Sequence, residues 1–321
     1  MKSKPFRCFI CGETCAHENF SVSEMNFGFK DKFQYDKCSF CGTLKLITIP
    51  KDISKYYPPN YYAHIISKPS KFETFLKRKR AKAALGKTNI IGKILIILYG
   101  IPPFIRWIEG LNLNFHDPIL DVGCGSGFLL KDMSNVGFTN LTGIDPYLNE
   151  NTSREGKYHL LKKSIHQIAG EYKLIMYNHS LEHIIDPLSE LQKVKSLLAR
   201  DGIALIRIPL IDSYAWEKYK INWVQIDAPR HLFIPSRKAM KILFTRVGFD
   251  LFNIVYDSNE FQFWGSEQYL KEIPLESEKS YQKNPKYSIF NGREIKKFKH
   301  HARILNQDQN GDQACFYIKK I

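Results

Sequence analysis

The chain has 321 residues, 44% of them hydrophobic, enough to fill the core of one large domain with a small one appended, which excludes a disordered chain. Lys and Arg outnumber Asp and Glu by 47 to 32, a net charge of +15, so a polyanion, a phosphorylated substrate or an anionic membrane surface is a credible neighbour. Met1 to Cys11 holds no apolar core of signal-peptide length, and the most apolar stretch, Ile90 to Leu98, contains Lys93 and stops at Gly100, too short to span a bilayer. A cytoplasmic chain with reduced thiols is expected, with Ile90 to Leu98 as a buried or interfacial helix.

Residues 1–50 open with Cys8-x-x-Cys11-Gly12 and close with Cys38-x-x-Cys41-Gly42. Each is a knuckle in which the glycine lets the backbone turn its N–H groups toward the sulfurs. Four thiolates at this spacing suit tetrahedral zinc, so Cys8, Cys11, Cys38 and Cys41 are expected to hold a structural Zn2+ in a small ribbon. A redox pair or unrelated buried thiols are the alternatives; Cys15 and His17 are spare. Residues 51–115 form a helical connector, with an aromatic cluster (Tyr56, Tyr57, Tyr61, Tyr62), helical apolar spacing through Phe72, Phe75 and Leu76, and the basic run Lys77 to Arg80. That run is either a solvated helix face or a contact for an anionic membrane or a lipid-linked pyrophosphate sugar.

From residue 116 to 321 short apolar strands alternate with amphipathic helices. Strands are predicted at Ile119–Val122, Leu141–Ile144, Leu174–Tyr177, Ile203–Ile208, Phe249–Tyr256 and Ala314–Lys319, with a weak one before Ser164, and helices at Pro187–Leu198 and from Ser236. The alternation implies a parallel sheet with right-handed crossovers. Residues 259–312, polar, basic and aromatic without clear periodicity, read as an insertion over one sheet edge.

The first of these strands runs into Asp121-Val-Gly123-Cys124-Gly125-Ser-Gly127, and Phe128 opens a helix. A turn this rich in glycine brings backbone N–H groups and a helix N-terminus close to a ligand. Phe128 stands where a dinucleotide site wants glycine or alanine, which argues against NAD. Asp145 closes the second strand, where one carboxylate can accept hydrogen bonds from both hydroxyls of a ribose.

With Asn178-His179-Ser180-Leu-Glu182-His183 after the fourth strand, these motifs resemble those of the class I methyltransferases that use S-adenosylmethionine (SAM). The resemblance covers residues 116–258 and implies a Rossmann-like, seven-stranded α/β sheet. It also implies that Asp121 and the backbone of Gly123, Cys124, Gly125 and Gly127 hold the methionine end, Asp145 the ribose, Ser164 and Ile165 the adenine, and that Asn178 borders the sulfonium. Methyl transfer to a hydroxyl needs an aligned acceptor and a base. His231 is the favoured base, His179 a second candidate, and His183 is read as structural.

Zinc ribbon followed by methyltransferase resembles the bacterial sugar methyltransferases of polysaccharide pathways. Arg230-His231-Leu-Phe-Ile-Pro-Ser236 looks like the Glu-His-x-x-Tyr-Phe-Ser stretch of the zinc-containing sugar C-methyltransferases, with Arg230 in place of the glutamate. That replacement favours O-methylation of a glycan or small-molecule sugar, phosphorylated or lipid-linked. Arg230 is then either a phosphate ligand or a surface arginine. A sugar C-methyltransferase, an RNA methyltransferase and a non-catalytic SAM-binding protein remain as alternatives. A nucleic-acid substrate is disfavoured by the lack of Asn-Pro-Pro-Tyr after the fourth strand.

Overall fold

The computed structural model describes residues 6–57, 71–86, 89–154 and 158–321; Tyr61 and Tyr62 of the expected aromatic cluster lie outside them. At the N-terminus β1 (Phe6–Arg7) and β2 (Thr14–Cys15) pair across the first cysteine knuckle. β3 (His17–Ser23) and β4 (Lys32–Cys38) form an antiparallel hairpin, to which β5 (Leu44–Leu46) adds. The connector supplies α1 (Lys71–Ala84), α2 (Ile90–Tyr99) and α3 (Pro103–Ile108). The apolar helix α2 is not buried: Ile90, Ile97 and Leu98 stand in solvent.

Alternation then sets in as expected: β6 (Ile119–Val122), α4 (Phe128–Val136), β7 (Leu141–Ile144), β8 (Thr152–Arg154), β9 (Tyr158–Leu161) and β10 (Tyr172–Asn178). Next come α5 (Pro187–Leu197), β11 (Leu198–Pro209), α6 (Tyr214–Tyr219), β12 (Phe233–Ile234), α7 (Arg237–Val247) and β13 (Phe249–Tyr256). The chain closes with α8 (Phe261–Leu270), α9 (Gly292–Gln307) and β14 (Gln313–Lys320). Local chemistry marks the helix starts. Pro187 takes the first turn of α5 while Asp186 Oδ1 accepts from Ser189 N–H at 3.1 Å, and Ser236 Oγ accepts from Ala239 N–H at 3.0 Å to open α7.

The main sheet runs β13-β14-β11-β10-β6-β7-β9-β8. β11, β10, β6, β7 and β9 are parallel, and β14 lies antiparallel between β11 and β13. This is the Rossmann-like α/β arrangement expected, with one strand more than seven, because the three-residue β8 pairs antiparallel with β9 at the edge. Strand order reverses between β6 and β10, so the carboxyl ends of β6, β7 and β10 open a crevice there.

Both faces of the sheet are covered. On one, Ile175, Tyr177 and Ile206 pack with α5 and α7, and Cys8, Cys38 and Cys41 join the same cluster. On the other, Leu174, Met176 and Cys315 pack with Leu130 and Met133 of α4, Ala81 of α1 and Ile105 of α3.

A second core extends the reading of residues 259–312. Their helix α9 meets the edge strand β13, and Phe263, Trp264 and Ile295 are also buried in one cluster with Trp216, Trp223 and the N-terminal residues Tyr35, Leu44 and Leu46. Helical periodicity, unclear across the segment as a whole, is present in α9, where Ile295, Phe298, Ala302 and Leu305 share the packed face. On α9, Phe298 stacks on Phe263, and His301 meets both Phe263 and Tyr214. The N-terminal sheet is itself completed by β12, which pairs with β5 in the order β12-β5-β4-β3.

Candidate active site

The site grows from the turn after β6. Gly123 has φ +74°, and a Cβ there would lie 2.4 Å from Ser180 Cβ, so only glycine lets this backbone pass beneath the β10 loop. Ser180 Oγ ties the two together by donating to the Val122 carbonyl at 2.6 Å. Gly127, φ +75°, is pressed on Leu160 and stands behind the turn rather than in the cleft wall. It stands at the N-cap of α4.

A cleft of about 570 Å³ lies over the turn, walled by Asp121 to Ser126, by Asp145 to Tyr147 and by the loop after β10. Asp145 is fixed by two backbone donors, Gly125 N–H to Oδ2 at 3.1 Å and Tyr147 N–H to Oδ1 at 2.8 Å. Each oxygen keeps acceptor capacity for a ribose hydroxyl. Asp121 is buried, its Oδ1 has no hydrogen-bond partner among the described residues, and burial together with the Asp145 charge pushes its pKa up to about 7. A carboxylate held this way, beside a turn whose Gly123 has no room for a side chain, suits a cationic, backbone-bound ligand end. Ser164 and the buried Ile165 border the cleft as expected, with Ser164 N–H bonded to Gln167 Oε1 at 3.0 Å. Asn178 is also on the wall, and its Oδ1 accepts from the Arg207 guanidinium at 3.0 Å. Donor set and cradle fit SAM.

The histidines divide differently from expectation. His231, favoured as the base, is 5% exposed and lies behind the wall. Its Nδ1 bonds the Gln225 carbonyl at 2.8 Å, and burial, with the neighbouring His183, pushes its pKa down to about 4. His183, read as structural, is on the cleft wall. Its Nδ1 meets the Arg230 carbonyl at 2.8 Å; a carbonyl only accepts, so Nδ1 carries the proton and Nε2 the lone pair. The two rings meet edge-on, centroids 4.9 Å apart. His179, at φ +52°, also lines the cleft and bonds Glu182 Oε1 at 3.3 Å.

Two acids that carried no role in the sequence motifs, Glu182 and Asp227, hold this group together. Glu182 is fully buried, and its Oε2 has no hydrogen-bond partner among the described residues; burial raises its pKa, but the His179 hydrogen bond and the neighbouring imidazoles outweigh it and hold the carboxyl down at about 2. Donor atoms of Glu182, His183 and His231 lie within 4.8 Å of one another. Asp227 is held low because the Arg230 guanidinium overcomes its burial.

Arg230 is therefore neither a phosphate ligand nor a surface residue: it is buried, grips Asp227 through Nε at 2.8 Å and through Nη2, and donates to the Tyr56 carbonyl at 3.0 Å. Tyr57 was assigned only to a connector, yet it enters the wall, stacks on Tyr147 and reaches His183 Nδ1 at 3.3 Å. Only its place in an aromatic run marked it.

The N-terminal residues reach the site through the backbone. Tyr35 donates to the His231 carbonyl at 3.0 Å, and Leu46 N–H to the Leu232 carbonyl at 2.9 Å. In the knuckles Cys8 and Cys41 sulfurs are 3.7 Å apart and Cys11 and Cys38 3.9 Å. Tetrahedral zinc with Zn–S near 2.3 Å requires sulfurs about 3.8 Å apart, so the four thiols fit the ion. Cys15, set aside as a spare, lies 3.2 Å from the Cys38 sulfur.

A family model described as a methyltransferase domain matches residues 73–253. The tRNA U34 carboxymethyltransferase of Alteromonas mediterranea is 24% identical over 194 residues, 54% of this chain and 57% of that protein. The ubiquinone biosynthesis O-methyltransferase of Haemophilus ducreyi is 31% identical over 112 residues, 30% of this chain and 46% of that one. The chain thus spans about half the length of these curated relatives. Among solved structures, a cyclopropane synthase from Mycobacterium tuberculosis aligns with a TM-score of 0.44 at 16% identity, covering 68% of this chain and 85% of that one.

Proposed function

Because the chain belongs to the methyltransferase-domain family, we propose that this SAM-dependent enzyme O-methylates a sugar of a surface glycan or of its nucleotide- or lipid-linked precursor, in the cytoplasm. When bound, SAM supplies a methyl group on a positively charged sulfonium. Asp121 and the turn from Gly123 to Gly125 hold its methionine end, Asp145 its ribose, Ser164 and Ile165 its adenine, and Asn178 borders the sulfonium. Cys8, Cys11, Cys38 and Cys41 hold a structural zinc that stiffens the sheet on which the His231 segment rests.

The observation that carries the reading is His183 on the cleft wall, with Nδ1 spent on the Arg230 carbonyl and Nε2 left as the basic atom. His183 Nε2 takes the acceptor hydroxyl's proton as the oxygen gains its methyl group. Glu182, ionised and with an oxygen unpartnered among the described residues, offsets the imidazolium charge. His231 stays neutral behind it and does not repel that charge, while His179 orients the acceptor. With Arg230 locked onto Asp227, no carboxylate stands at position 230, which supports O- over C-methylation.

A second reading, RNA methylation, draws on the likeness to a tRNA U34 carboxymethyltransferase and on the net charge of +15. Purified protein with SAM, offered nucleotide sugars, lipid-linked glycans and tRNA, should release S-adenosylhomocysteine with a sugar. Release with tRNA alone would replace the first reading by the second. His183→Gln should lower turnover about 10²- to 10⁴-fold with SAM affinity unchanged; undiminished turnover would remove His183 as the base.

A further inference from the structure

We propose that the hairpin of α1 and α2 seats the enzyme on an anionic membrane surface. Ile90, Ile91, Ile94, Ile97 and Leu98 fall at helical spacing on one side of α2, and their exposures run from 48% to 82%. Single exposed apolar residues are ordinary, but a contiguous band on one helix marks a contact surface. On α1, Phe72 and Phe75 extend the exposed apolar residues.

The outward face is built, because the other side of α2 is fastened to α1. A Cβ on Gly92, the buried residue of α2, would lie 2.1 Å from the Lys79 carbonyl oxygen and 2.7 Å from Ala83 Cβ, so the helices touch at backbone distance. Asn89 caps α2 through Oδ1, accepting from Gly92 N–H at 3.2 Å, while its Nδ2 donates to the Lys79 carbonyl at 2.9 Å. At the far end Arg80 donates to the Tyr99 and Gly100 carbonyls at 2.8 and 2.6 Å. Ala81 joins the hairpin to the cofactor-binding core, fully buried in one cluster with Leu130 and Met133 of α4.

Charge selects the occupant. The two helices carry seven Lys or Arg residues and a single acid, Glu73; Arg80 is spent on the Tyr99 and Gly100 carbonyls and Lys77 lies near Asp132 of α4, which leaves the set strongly basic. A second copy of this chain would bring two such basic sets together, whereas lipid phosphates neutralise them. The ten residues of α2 rise about 15 Å, half the hydrocarbon thickness, so the helix lies along the interface. None of the helices among the described residues is long and apolar enough to cross. The surface does not depend on the acceptor being a sugar.

Flotation of the full chain with phosphatidylcholine vesicles, with and without about 30% phosphatidylglycerol, tests this. The protein should float with the anionic vesicles and bind neutral ones about tenfold less. The double variant Ile94→Asp, Ile97→Asp should lose about tenfold in anionic-vesicle binding while its calorimetric SAM affinity stays that of the parent. If that variant loses SAM affinity, Lys77→Glu with Lys93→Glu decides, since both side chains are exposed; it should abolish the preference for anionic lipid. Parent protein that does not float, or variants that float equally well, would overturn the proposal. So would a dimer by light scattering that the double Asp variant splits with no vesicle binding by the parent, which would assign the face to a second copy.

Discussion

Asp121→Asn separates stability from ligand binding at one buried group. Asp121 is 3% exposed and its pKa is pushed up to about 7, first by burial and then by the Asp145 charge. A rise of that size above the ordinary carboxylate range corresponds to roughly 4 kcal/mol in favour of the neutral form. The folded pKa is the raised one, so the contribution to ligand-free stability is fully present below about pH 4 and is lost as the pH climbs through about 7. Asparagine keeps the shape and removes the charge. Without SAM at about pH 8, the variant should be more stable than the parent by about 2 to 4 kcal/mol, read as a higher Tm by calorimetry. The methionyl ammonium of SAM favours ionised Asp121, so parent affinity should rise with pH up to about 7 and then level off. The variant should bind about ten- to a hundredfold more weakly at about pH 8, with little pH dependence. A variant less stable than the parent in ligand-free form, or a parent affinity indifferent to pH, would refute the assignment of this carboxylate.

Gly123→Ala should abolish SAM binding and destabilise the fold by about 2 kcal/mol or more, because the new methyl meets Ser180 Cβ at 2.4 Å on a φ of +74°; a variant that binds SAM normally would contradict the geometry. Cys38→Ser, or a strong chelator, should release one zinc per chain and lower Tm by about 10 °C or more. Turnover should fall with it, since Leu46 and Tyr35 hold the His231 segment; metal analysis showing no zinc in the purified protein would end the ribbon reading.

Much of the cofactor cleft was legible in the sequence because its constraints are local. A backbone that must adopt positive φ at Gly123, Gly125 and Gly127 writes glycine at those positions, and Asp145 is placed by following directly on the short strand β7. The cysteine knuckles are local in the same sense. The histidine cluster was only half legible: three histidines near the site could be named, but not which one faces the cleft. Glu182 carried no signal beyond its chain position, since an acid before a histidine is an ordinary surface pair until both are buried.

The sequence by itself determined the strand–helix alternation, the glycine-rich turn with an acid after the next strand, and the paired thiol knuckles, because each depends on backbone conformation within a few residues. Tertiary structure alone decided that His183 meets the cleft while His231 stands behind it, that Arg230 is spent on Asp227 and Tyr56, and that α2 turns its apolar side to solvent. Those outcomes rest on burial by partners far along the chain, such as Tyr35 on the His231 carbonyl and Tyr56 on Arg230. Hydrophobicity and charge state what a side chain prefers; only the assembled neighbours settle whether it is granted.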